Sequence, residues 1–311
     1  MRAACIGVGN VGRSWAIVFA RASWDVSLWD AYPGVVDRAL GLIRVALDDA
    51  GAAGLPVDAD AVLARIHVAH GVEQAVAGAD YIQESAAEEV AVKQSLFGSI
   101  DSCAPSNAII ASSTSAIQGA SFMGDIPGRH RCVVAHPVNP PHIIPLVEIC
   151  ASPWTDKNTV DRTYEIMKEV GQSPVILNRE IDGFLLNRLQ WALMGEALHL
   201  VGEGVCSPED IDRVLTQGLA LRWAFIGPFE VAHLNATQGV EGYYDVLREA
   251  VSRVQGSLRT DYPPDARTVK LIHEAMSRRT PVETIPDRQA WRDRRLMALR
   301  RHLADAGDKD P

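Results

Sequence analysis

A histidine stands just past an apolar run in Cys132-Val133-Val134-Ala135-His136-Pro137-Val138-Asn139-Pro140-Pro141, and twelve residues on a carboxylate interrupts Leu146-Val147-Glu148-Ile149. An imidazole that titrates near neutrality can take the proton of an alcohol as hydride leaves the same carbon, which makes His136 the candidate general base. A glutamate in an apolar strand is costly unless paired. With His136 as partner, Glu148 would fix the imidazole tautomer and stabilise the imidazolium, as the acid of a catalytic dyad does. Blander uses exist for both: a histidine can satisfy a turn backbone, and a strand glutamate can pair with a structural arginine. Two polar residues are suited to holding substrate oxygens, Ser115 in Ser112-Ser113-Thr114-Ser115 and Asn187 in Gly183-Phe184-Leu185-Leu186-Asn187-Arg188-Leu189. Serine and asparagine are also ordinary cap and turn residues, and spacing alone leaves that choice open.

The element that would bring a hydride acceptor to these groups is written at the start of the chain. Ala3-Ala4-Cys5-Ile6 reads as a short buried strand that runs into Gly7-Val8-Gly9-Asn10-Val11-Gly12, and Ser14 to Ala20 reads as the helix that follows. In this context G-x-G-x-x-G has a physical meaning. Gly7 permits the tight turn, Gly9 lets backbone approach a pyrophosphate at the helix N-terminus, and Gly12 lets helix and strand pack closely. Asp30 ends the next strand, Val26-Ser27-Leu28-Trp29, about twenty residues on, where a carboxylate accepts hydrogen bonds from ribose hydroxyls. A 2′-phosphate would meet that negative charge, and Ala31 and Tyr32 offer no arginine to offset it, so the cofactor expected is NAD.

With 311 residues, 47% of them hydrophobic, the chain can bury a sizeable core and is expected to divide into two domains. A net charge of -9 excludes nucleic acid as the main partner. The five cysteines are widely spread with no C-x-x-C pair, which fits a reducing compartment and neither a disulfide framework nor a zinc site. No histidine spacing suggests a metal. The first strand begins at once, no apolar run approaches a membrane span, and a cytoplasmic protein is expected.

Up to about residue 180, short β-rich runs alternate with helical patterns, as in βαβ units around a parallel sheet. Strands are expected at residues 3–6, 26–29, 66–69, 81–83, 108–111, 132–135, 146–149 and 174–177, and helices at 35–50, 90–103 and 158–170. Beyond Asp182-Gly183 the pattern is helical only, beginning with a long helix over 184–203. The fold class is therefore α/β, a Rossmann-type, mostly parallel sheet domain at 1–181 followed by an all-α domain at 182–311. Ser207-Pro208-Glu209-Asp210 has the composition of a helix start. The basic, amphipathic stretch 288–302 is expected to dock on the protein itself or on a second subunit.

In order along the chain, the glycine loop, Glu84-x-x-x-Glu88-x-x-x-x-Lys93, Ser113-Thr114-Ser115, His136-Pro137-Val138-Asn139-Pro140, Glu148 and Asp182-Gly183-Phe184-Leu185-Leu186-Asn187-Arg188 resemble the 3-hydroxyacyl-CoA dehydrogenase superfamily. Within it, Ile144-Pro145-Leu146-Val147-Glu148, Asn187-Arg188-Leu189-Gln190, Arg222-Trp223-Ala224-Phe225-Ile226-Gly227-Pro228, His233-Leu234-Asn235 and the tail 288–297 are similar to the lambda-crystallin group, whose enzymatic members are L-gulonate 3-dehydrogenases. The resemblance implies that His136 is the base, Glu148 its partner, and Ser115 and Asn187 the oxygen-binding groups. It also implies that Glu88 and Lys93 belong to the nicotinamide-ribose site, that Asn139 occupies a cofactor-site position, and that the protein is a homodimer. Arg222 matches the lambda-crystallin pattern where acyl-CoA enzymes lack an arginine, and a guanidinium grips a carboxylate in a bidentate fork. Arg222 is thus the candidate for the substrate carboxylate, with a structural salt bridge as the competing use. The stretch 31–65, where acyl-CoA members hold the nucleotide, sets Asp37, Asp48, Asp49, Asp58 and Asp60 against Arg38, Arg44 and Arg65, poor ground for a polyanion. The reading that follows is NAD-dependent oxidation of a small free 3-hydroxy acid. A 3-hydroxyacyl-CoA substrate, 3-keto acid reduction, and a non-catalytic NAD-binding crystallin are its alternatives.

Overall fold

Strand by strand, alternate residues of the first half are buried on opposite sides. Ala3, Cys5, Tyr81, Ile109, Ala111, Val133, Ala135, Val147 and Ile149 fall into one apolar cluster, and Ala4, Ile6, Ile82, Ile110, Cys132, Val134 and Cys150 into another. Both faces are dry, so the strands read as continuous apolar runs, as expected for a parallel sheet covered by helices on each side. The computed structural model describes residues 1–306. Its elements, in chain order, are β1 (Arg2–Ile6), α1 (Asn10–Arg21), β2 (Asp25–Trp29), α2 (Val35–Ala52), α3 (Ala59–Leu63), β3 (Ile66–Val68), α4 (Val72–Val76), β4 (Tyr81–Glu84), α5 (Val90–Cys103), β5 (Ile109–Ser112), α6 (Ala120–Met123), β6 (Cys132–Pro137), β7 (Leu146–Cys150), α7 (Lys157–Glu169) and β8 (Ser173–Leu177). The sheet order is β3-β2-β1-β4-β5-β6-β7-β8. Every neighbouring pair is parallel except β6 and β7, which run antiparallel and place His136 directly opposite Glu148.

Helix α1 is buried on nearly every side from Ser14 to Ala20, and Trp15, Phe19, Trp24 and Tyr81 form a chain of ring contacts beneath it. That packing fixes the helix whose first turn follows the glycine loop.

All remaining regular elements are helical among the described residues: α8 (Leu186–Gly202), α9 (Pro208–Val214), a π-helical turn at Leu215–Leu219, α10 (Ala220–Trp223), α11 (Pro228–Leu234), α12 (Gly239–Ser257), α13 (Ala266–Arg279) and α14 (Ile285–Ala306). Ser207 caps α9 by accepting the Asp210 amide, with Pro208 at the first helical position. The chain forms two compact units, Met1–Asn187 joined by the chain from Arg292 onward, and Arg188–Trp291. Met297 of α14 is buried with Ala50 and Ile143, so this part of the basic tail docks on the first unit. No helix among the described residues is long and apolar enough to cross a membrane.

Candidate active site

The glycine loop owes its shape to three different requirements. Gly7 has φ +88°, and a side chain there would strike the Ser85 backbone; a Cβ on Gly12 would run into the Gly7 carbonyl. Gly9 is different, since a Cβ there would meet nothing within 4 Å. That space opens at the start of α1, where Gly9 caps the helix with no side-chain bond and leaves its leading N–H groups for an anion. Asn10 opens the helix and accepts from Arg13 at 2.6 Å, while Val11 packs against the core. Asp30 accepts the Val8 amide at 2.9 Å and the Tyr32 amide at 3.0 Å, which ties the loop to the end of β2. An open glycine seat, an uncapped helix start and a carboxylate twenty residues on suit a dinucleotide with free ribose hydroxyls.

His136 and Glu148 are cross-strand neighbours on one face, and Nδ1 of the ring lies 2.8 Å from Oε2 of the carboxylate. The second oxygen, Oε1, accepts the amides of Leu185 at 2.7 Å and Leu186 at 2.9 Å. Those amides point inward because the chain turns through two left-handed residues, Gly183 (φ 72°) and Phe184 (φ 51°). A positive φ is unfavourable for a bulky residue and persists only where its surroundings over-determine it. Here the Phe184 ring is fully buried, its centroid 5.3 Å from that of His136. Burial by itself would raise the Glu148 carboxyl, but the bonds from His136 and from the Leu186 and Leu185 amides outweigh it and hold the group below the usual carboxylate range. Glu148 is therefore a charged acceptor that orients the ring, with His136 Nδ1 as donor.

A second cluster lies beyond Asn187, which the Leu185 and Leu186 amides precede. Asn187 Nδ2 donates to the Ser115 carbonyl at 2.6 Å. Ser115 is exposed, and its amide donates to Glu88 at 2.8 Å, as does that of Ala116 at 3.0 Å, while the Thr114 hydroxyl adds a bond of 2.6 Å. Burial pushes the Glu88 carboxyl up, but the Thr114 hydroxyl, the Lys93 charge and the two amides together pull it below its ordinary range. Lys93 itself is fully buried. Its ammonium lies 2.9 and 3.1 Å from the two oxygens of Glu84 and 3.4 Å from Glu88. Lys93 is thus enclosed by the carboxylates of Glu84 and Glu88. Asn139 is exposed just past β6, and Arg222 is exposed on α10 of the second unit.

Sequence reasoning quoted three further participants within its motifs without giving them a role. Glu84 ends β4 and also accepts the Ser112 hydroxyl at 2.6 Å, so it is the anchor of the Lys93 charge. Ser113 accepts from Trp15 Nε1 at 3.1 Å and Gln83 Nε2 at 2.7 Å, which directs its own hydrogen to Ser85, 2.9 Å away. Phe184 was visible only as one residue of the Asp182-Gly183-Phe184-Leu185-Leu186-Asn187-Arg188 motif. The signal for Glu84 was its place at the head of the Glu84-x-x-x-Glu88-x-x-x-x-Lys93 spacing.

This arrangement belongs to the class of Rossmann-type, NAD-dependent oxidoreductases with a histidine–carboxylate pair. Residues 2–181 match the NAD binding domain of 3-hydroxyacyl-CoA dehydrogenase, and residues 183–261 match its C-terminal domain. A lambda-crystallin homolog of Bos taurus is 42% identical over 301 residues, which cover 95% of this chain and 94% of that protein. L-carnitine dehydrogenase of Nocardiopsis dassonvillei is 34% identical over 310 residues, 97% of this chain and 91% of that one. The crystal structure of 5-formyl-3-hydroxy-2-methylpyridine 4-carboxylic acid 5-dehydrogenase, an NAD+ dependent dismutase, superposes with a TM-score of 0.82 at 28% identity, covering 97% of this chain and 98% of that one. The chain belongs to the 3-hydroxyacyl-CoA dehydrogenase family and is an NAD-dependent dehydrogenase.

Proposed function

We propose that the protein oxidises the C3 hydroxyl of a small free 3-hydroxy acid, of the L-gulonate type. The observation that carries the chemistry is the 2.8 Å bond between His136 Nδ1 and Glu148. Nε2 of His136 takes the hydroxyl proton, and the ionised Glu148 offsets the charge that appears on the ring. NAD, held by Gly7, Gly9, Asn10, Val11, Gly12 and Asp30, supplies the hydride acceptor when bound. Ser115 and Asn187 hold the oxygen at C3: Asn187 has a second N–H and its Oδ1 to offer, and Ser115 presents an exposed hydroxyl. Glu88, with Lys93 behind it, would accept from the nicotinamide ribose, and Asn139 would belong to the same cofactor site.

Two observations favour a free acid over a CoA thioester. In the stretch 31–65, Arg44 is paired with Asp60 at 2.6 Å, and Arg65 lies 3.7 Å from Asp25, so two of its three arginines already face carboxylates. Arg222, by contrast, forms no ion pair among the described residues and is assigned to the substrate carboxylate. Arg222→Ala should raise the Michaelis constant for hydroxy acids at least tenfold, about 1.4 kcal/mol, and leave that for uncharged alcohols in place. An equal rise for both would remove the carboxylate role.

The direct test follows NADH formation with L-gulonate, free 3-hydroxybutyrate and 3-hydroxybutyryl-CoA, using His136→Ala as control. Turnover of the free acids that is lost in the variant supports the assignment. Turnover of the thioester alone transfers it to acyl-CoA chemistry.

A further inference from the structure

The turn after β6 ends in a second polar cluster that hydride transfer does not use. Between α1, α2, the 141–143 turn and the C-terminal half of α14 lies a cavity of about 350 Å³. Its walls are largely apolar, with Ile17, Leu47, Leu55, Val57, Ile143 and Met297 among them. Three guanidiniums line it as well, those of Arg21, Arg300 and Arg301, against one carboxylate, Asp305, among the described residues.

Arg21 and Arg300 both direct Nη1 at the same acceptor, the His142 carbonyl, over long distances of 3.4 and 3.5 Å. Arg301 donates to the Ala53 carbonyl at 3.3 Å. None of the three enters an ion pair among the described residues. Asp293, the other carboxylate near His142, is held by Arg292 at 2.7 Å. Partly buried like charges that share one carbonyl are an unfavourable arrangement unless an anion joins them. The excess of positive charge registers on its neighbours. Burial, with the charge of Arg300 beside it, draws the Arg21 guanidinium below its usual value, and burial does the same to Arg300. Burial, then the positive charges of Arg21, Arg300 and Arg13, against the opposing Asp293, push His142 down to about 4.

We propose that this cavity is a second ligand site, for a small organic anion with an apolar body. The carboxylate head bridges Arg21 and Arg300, and the chain lies against Ile17, Leu47 and Met297. The site has a route to the cofactor loop. His142 Nδ1 is 3.0 Å from Ser14 Oγ, whose hydrogen goes to the Asn10 carbonyl at 2.8 Å, so His142 is the donor to Ser14. Occupancy therefore bears on the first turn of α1 and on the turn carrying Asn139, and it alters the Michaelis constant for NAD without competing with the hydroxy acid.

Calorimetric titration of the full chain with hexanoate tests the proposal, with hexanol and inorganic phosphate as tail-only and head-only probes. Hexanoate should bind in the millimolar range or tighter, more tightly than either probe, and L-gulonate should not displace it. Arg21→Gln and Arg300→Gln should each weaken it about tenfold, and Arg300→Lys should restore part of the loss. Val57→Phe, which fills the cavity and keeps the arginines, should exclude hexanoate, so the test does not depend on folding of the arginine variants. Absence of hexanoate binding to the wild-type chain, unchanged binding to Val57→Phe, or displacement by L-gulonate would overturn the proposal.

Discussion

In the proposed reaction His136 and Glu148 share the work of one proton transfer: the ring would move the proton, and the carboxylate would keep the ring in one tautomer. His136→Ala is expected to lower kcat by about two to four orders of magnitude with little effect on the Kd for NAD, measured by single-turnover kinetics and NADH fluorescence. Glu148→Gln keeps the size of the side chain and removes its charge, so a loss of about 10²- to 10⁴-fold in kcat is expected. Its pH behaviour is equally specific. The folded carboxyl lies below its ordinary range, so its contribution to stability is complete above the unfolded value, about 4.3, and is lost as pH falls through the folded value. The difference in Tm between wild type and Glu148→Gln should therefore shrink on acidification below about pH 4.3 and stay constant from there to neutrality. A difference independent of pH throughout would mean that the Glu148 carboxyl has the same pKa folded as unfolded, and a difference that changes only above about pH 4.3 would mean that it is protonated in the folded protein. At this scale the sequence was legible wherever a residue was anomalous for its run: the histidine after an apolar run, which the structure places inside β6 rather than just past it, and the glutamate within β7. The burial of Lys93 was not legible, because the pairing that accompanies it depends on Glu84 at the end of β4.

Elements were readable in proportion to how local their causes are. The eight strands fell within a residue or two of their expected places because each is a short β-rich run bounded by turn residues. Their direction was not readable: Leu146-Val147-Glu148-Ile149 has the same alternation either way, and only the short return from β6 makes β7 antiparallel. The left-handed conformation of Phe184 was beyond sequence too, since it is imposed by the burial of its ring. The glycine loop supports a paired prediction. Gly9→Ala should leave Tm unchanged, because a Cβ there touches nothing, yet weaken NAD binding at least tenfold, about 1.4 kcal/mol, by occupying the pyrophosphate seat. Gly12→Ala should fail differently, unfolding at lower temperature because its Cβ collides with the Gly7 carbonyl. Equal Tm losses in the two variants would undo the distinction between a ligand seat and a packing contact.

For the molecule as a whole, the second unit leaves many large apolar side chains in solvent: Leu189 at 73% exposure, Phe229 at 77% and Val246 at 83%, along with Trp191, Leu221 and Trp223. Monomers rarely expose so much apolar surface without a partner for it. We propose a second copy of the chain as that partner, as the family resemblance implies, and sedimentation at micromolar concentration should then give a dimer burying roughly 1,200–2,000 Å² or more. Leu189→Glu with Phe229→Glu should shift it towards monomer, and a monomeric wild type at that concentration would refute the assignment. The return of α14 to the first unit has a different consequence, one of timing. Ala50 and Ile143 are synthesised long before Met297, the residue that closes their buried patch. On a ribosome the nucleotide-binding half must wait, with that patch open to water, until the helices of the second unit have emerged. Folding in order of synthesis, the usual recourse of long chains, is thus incomplete for this half until α14 has been made.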